Sequence, residues 1–144
     1  MREMSTEENE KLVARIYEKA MTSLHNNEPI TAAQRIVHDI EHMMQEVNSG
    51  ASYEQYFRWA SIDEMKSISK HLHMLGLDAV ARLTDQAIKV AFPRGIPSSE
   101  EEKSDSTEWS PEQEEILSDL FTQLEEHNGH VTNVLGAYAR RVGA

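Results

Sequence analysis

The chain has 144 residues, 39% of them apolar and 27% charged, with no cysteine. That size corresponds to about one domain with a core of its own, and the lack of thiols excludes disulfides, thiolate metal sites and cysteine nucleophiles. A net charge of −11 repels nucleic acid and anionic membrane, so no direct binding to either is expected.

Met1 to Glu10 is polar and acidic, unlike a secretory signal, and no apolar run approaches the roughly 20 residues of a membrane span. The expected location is the cytoplasm. Helix start signals then recur along the chain. Ser5 is followed three residues later by Glu8, Thr31 by Gln34, Ser61 by Glu64 and Ser110 by Gln113, each a capping-box pattern. Pro111 follows Ser110 at a first helical position, where a missing N–H costs nothing. Stop signals answer them: Asn48-Ser49-Gly50, Gly76, Pro93 and Asn128-Gly129. The spacing predicts helices over about 6–26, 31–48, 52–59, 62–75, 78–91, 111–127 and 130–141. The fold expected is all-α, one domain over 1–144 built as a bundle of about six to seven helices. Within it, 94–109, with its run SSEEEKSDS, reads as a flexible acidic loop.

The segment 31–48 contains HDIEH, residues 38–42, the H-x-x-E-H form of the zinc-peptidase signature. At about 100° per residue, Ala33, Ile36, Val37, Ile40, Met43, Met44 and Val47 share one arc, and His38 and His42 point away from it. That places the two imidazoles on the solvent side, without the three ligands and closed cleft that a catalytic zinc needs. His71 and His73 cannot both join them, because residues two apart on a helix face different ways. A metal-dependent hydrolase using His38, Glu41 and His42 is therefore the least favoured reading. No phosphate loop or nucleophile elbow is present, and neither a cofactor nor a catalytic residue is expected.

Next comes EVNSGASYEQYF, residues 46–57: a helix end, then a short aromatic helix with Tyr53, Tyr56, Phe57 and Trp59. These aromatics read as a core plug, with an aromatic ligand pocket as the alternative. Glu46, Asn48, Gly50, Gln55, Tyr56 and Phe57, with the block LGLDAVARLTDQAIKVAFP at 75–93, resemble an acidic all-helical domain family named after a bacterial DNA-mimic protein. Ser49 and Ala51 stand where that family usually has asparagine and a second glycine. If the second glycine needs positive φ, Ala51 implies a shifted turn. The resemblance implies structural roles for the motif residues, no established catalytic residue, and a homodimer.

Charge is unevenly placed. Residues 1–50 carry a net −4, 51–94 a net +1 and 95–144 a net −8. Eleven acids lie between Glu100 and Glu126, where Lys103 is the only base. On 111–127, Ile116, Leu117, Leu120, Phe121 and Leu124 form an apolar arc, and Glu112, Glu115, Asp119 and Glu126 form a separate stripe. Its axial steps of about 4.5, 6 and 10 Å match duplex phosphates only crudely. With the family resemblance, the stripe points to a non-catalytic module whose carboxylates engage a basic protein, such as the nucleic-acid-binding surface of a transcription regulator. An immunity-type inhibitor of a basic nuclease would use the same face.

Overall fold

The computed structural model describes residues 5–144; the first four residues of the polar Met1–Glu10 stretch lie outside them. Among the described residues there are eight helices and no strand: α1 (Thr6–His25), α2 (Ala32–Gly50), α3 (Glu54–Trp59), α4 (Ile62–Met74), α5 (Asp78–Ala91), α6 (Glu100–Ser106), α7 (Pro111–Glu125) and α8 (Asn128–Val142). None is long and apolar enough to cross a membrane. The domain is all-α, as expected, with α6 added to the seven helices read from spacing.

The helices begin where their caps dictate. Thr31 with Gln34, and Ser110 with Gln113, close full capping boxes, each satisfying two otherwise unpaired N–H groups. Ser61 accepts the Glu64 N–H, but the Glu64 carboxylate does not return to the cap; it turns inward to His42. That departure from the box is the first sign that Glu64 has another task. At the other junction expected from sequence, Asn128-Gly129 opens α8 instead of ending α7.

α2 is the central element, touching α1, α3, α4, α7 and α8, while α5 bridges α4 and α7. Its apolar arc, Ile36, Val37, Ile40, Met43, Met44 and Val47, is buried as the periodicity predicts. Tyr53, Tyr56 and Phe57 are fully enclosed and confirm the core plug, but Trp59 is 70% exposed and is not part of it. With α3 only six residues long, the side of Trp59 has no helix laid over it.

The family-motif residues form one joint. The Gln55 side-chain amide donates to Glu46 Oε2 at 2.7 Å, tying α3 back to α2. A Cβ on Gly50 would sit 2.9 Å from Gln55 Cβ, so glycine is needed for that approach. Asn48 donates to Met44 O and accepts from Asn128, linking α2 to the start of α8. Ala51 itself takes the left-handed conformation, φ 53°, and ends the helix. Alanine occupies the glycine-type position at a strain of about 1–2 kcal/mol.

The acidic segment is anchored at several points. Ser99 caps α6, and Lys103 reaches inward to donate to Arg58 O at 3.0 Å and Ala60 O at 2.6 Å. Trp109 Nε1–H donates to Ala91 O and packs edge-on against Phe92. One lysine thus finds, in the carbonyls at the end of α3, the partners that allow a short polar helix to dock.

Candidate functional site

Two regions gather chemistry. The first lies between α2 and α4. His38 and His42 are not on a solvent face: His38 is 9% exposed, and the His42 side chain is largely covered. The wheel places them correctly opposite the apolar arc of α2, but α1 and α4 cover that side as well. Tyr17 of α1 stacks on His38 with ring centroids 5.2 Å apart, and Tyr56 meets His42 edge-on at 6.0 Å.

Carboxylates enter between the rings. His38 Nδ1 lies 2.8 Å from Asp39 Oδ1, and His42 Nδ1 lies 2.8 Å from Glu64 Oε2 on α4. Glu46 Oε1 is 3.8 Å from His42 Nε2, and His71 Nδ1 is 3.7 Å from Asp39 Oδ2. His73, as its spacing from His71 requires, points elsewhere and pairs with Asp78 at the surface. His38, Asp39 and Glu64 are all buried and each offers one ligand-type atom within 4.8 Å of the others. A cleft of about 370 Å³, lined by Asp39, Glu64 and His71 with Arg35, Ser61, Asp63 and Ser67, opens beside them.

The pKa shifts follow from this setting. Burial lowers the His42 pKa, but the hydrogen bond and charge of Glu64, with Glu46 and Asp39, outweigh it and the net shift is upward. Burial dominates at His71, whose pKa is lowered. The Tyr56 phenol is pushed well up by burial first, then by the charges of Glu64 and Asp39; its hydroxyl faces Glu64 without closing a hydrogen bond. Glu41, the proposed general base of H-x-x-E-H, is not in this cluster. It contacts Gln45 and lines a different groove with Glu10, Met44 and Asn48, so the peptidase triad is not assembled. Asp39 and Glu64 were missed from sequence; the only trace was Glu64 at a capping position beside an H-x-x-E-H helix.

The second region is the acidic face. Glu112, Glu115 and Asp119 are exposed along α7, and Glu126 is exposed at its C-cap. Among the described residues none of the four is in an ion pair within 4 Å, and Glu126 lines a separate shallow groove with Arg82 and His127. Leu117, Leu120, Phe121 and Leu124 are buried beneath, but Ile116, expected in the same arc, is 45% exposed. Glu102, Asp105 and Glu108 rim a groove of about 430 Å³ that runs from Phe92 to Gln113 at the start of α7. Lys103 is only 6% exposed and turned into the protein, where it also pairs with Glu100 at 3.3 Å, so the one base among these eleven acids offsets a single carboxylate and presents no cation at the surface.

A family model described as DMP19-like protein matches residues 28–142, which takes in both regions from α2 onward. No curated protein and no solved structure matches the chain.

Proposed function

The chain belongs to the DMP19-like protein family, and from that membership and its acidic face we propose that it is a non-catalytic interaction module for a basic protein. The observation that carries the reading is the inward turn of Lys103. It pairs there with Glu100 and leaves the other carboxylates of α6 and the exposed side of α7 with no exposed cation on either helix; Arg94 and Arg82 line the neighbouring grooves beside Glu102 and Glu126. These carboxylates stand on capped helices, so their spacing is set before a partner arrives. The macrodipole favours Glu112 and Glu114 in the first turn of α7, which lowers the cost of crowding like charges. A cationic groove that normally accepts phosphates would meet a row of negative charge here, sparser than a duplex strand, and the partner class is a DNA-binding regulator.

The test is to capture partners from the native cell and titrate the recovered protein. A basic DNA-binding protein is expected, displaced by duplex DNA. Its affinity should fall at least about tenfold between about 0.05 and 0.3 M salt, and again in the triple variant Glu112→Lys, Glu115→Lys, Asp119→Lys. Binding indifferent to both salt and charge reversal overturns the reading. Recovery of a nuclease that the chain inhibits moves the same face to an immunity-type role.

A further inference from the structure

We propose that His38, Asp39 and Glu64 form a binding site for one divalent cation of the zinc class, which fastens α2 to α4. The three side chains come from two helices and converge in the interior, their ligand-type atoms within 4.8 Å of one another. One imidazole with two carboxylates suits zinc and its first-row neighbours; magnesium and calcium prefer oxygen alone.

Three further observations point to a cation. Asp39 and Glu64 are buried, yet their ion pairs among the described residues are all with imidazoles and none is with a lysine or arginine. Buried carboxylates without a permanent countercharge are costly, and a dication supplies one. The Tyr56 hydroxyl, fully enclosed and directed toward Glu64, does not close a hydrogen bond of good geometry, and His71 Nδ1 stays 3.7 Å from Asp39, beyond hydrogen-bond reach. Such orphaned polar atoms are rare in a finished interior and mark a place where something else belongs. The orienting contacts are also present: His42 holds Glu64 through Nδ1, and Tyr17 fixes the plane of His38. The 370 Å³ cleft at Asp39 and Glu64 gives an entry path. This site differs from the H-x-x-E-H reading, since Glu41 has no part in it and no reaction is assigned to it.

The experiment uses the full chain without an affinity tag, freed of metal by chelation. Titration with Zn²⁺ or Co²⁺ should show one saturable equivalent and raise Tm by about 5–10 °C at a hundredfold excess over Kd. Glu64→Gln and Asp39→Asn should each weaken binding at least about 100-fold, while His73→Gln, at the surface pair with Asp78, should leave it unchanged. Because the buried variants can lose their fold, wild-type protein is also mapped by NMR with Mn²⁺. Broadening should begin at residues 38–42 and 62–66. Absence of saturable binding, equal binding by a folded Glu64→Gln variant, equal preference for Mg²⁺, or broadening that begins at 100–126 overturns the proposal. None of these measurements involves a protein partner, so the result stands apart from the fate of the acidic face.

Discussion

Two sets of carboxylates in this protein live in opposite surroundings. Asp39 and Glu64 are enclosed between α2 and α4, each beside an imidazole. Glu112, Glu115 and Asp119 stand on α7 in water, with no counterion within 4 Å among the described residues. Charge in water costs little and is screened, so it can be spent on recognising another molecule. Charge in the interior must be matched on the spot, so it constrains how helices are joined. The contrast separates the surface we propose for a partner from a cluster that joins helices within the fold.

Substitutions should therefore change different observables in the two regions. The largest effect is expected at Glu64. Glu64→Gln should cost about 2–3 kcal/mol by denaturant unfolding of metal-free protein, because His42 keeps its burial but loses its charged partner. The pH dependence gives the sign. The folded pKa of His42 lies above its ordinary 6.5, so the stabilisation it gains from Glu64 is complete below 6.5 and fades as pH rises through the folded value. The gap between wild type and Glu64→Gln should narrow over that interval; a gap that widens there shows that Glu64 is not what raises His42. His71, lowered by burial, runs the other way and weakens the fold as pH falls below 6.5.

Lys103→Met tests how the acidic helix α6 is anchored to the end of α3. It should cost about 2 kcal/mol, since the carbonyls of Arg58 and Ala60 lose a charged donor. If the measured loss is negligible, α6 is held by other contacts. The smallest effect belongs to the surface. Charge reversal at Glu112, Glu115 and Asp119 should leave stability within about 0.5 kcal/mol per site while weakening capture of a basic partner. A large loss of stability on reversal would place these acids in the fold and remove the distinction.

Much of the architecture was legible because it depends on neighbours in sequence. Ser–x–x–Glu/Gln caps and the 3.6-residue spacing of apolar side chains located seven helices to within a few residues. α6 escaped because seven polar residues carry no periodicity, and its anchor, Lys103 on the carbonyls after Phe57, is 43 to 45 positions away from its partners. The acidic stripe was also legible, since exposure follows from having nothing apolar to bury. The histidines were misplaced for a specific reason. A helical wheel shows which side of α2 faces its apolar neighbours, but not whether other helices close over the opposite side. Trp59 is the reverse case, an aromatic in a buried segment whose own side stays open.

The amino-acid sequence by itself determined the helical class, the capped starts, the joint from Glu46 to Gln55 and the concentration of charge after residue 100, because each arises from composition or from residues a few positions apart. Only the tertiary structure decided that α4 would bring Glu64 to His42, that Tyr17 would cover His38, and that Lys103 would reach inward to the carbonyls of Arg58 and Ala60. Those contacts join positions 21 to 45 apart. Their free energy comes from enclosing polar groups together, a condition that exists only once the helices have packed.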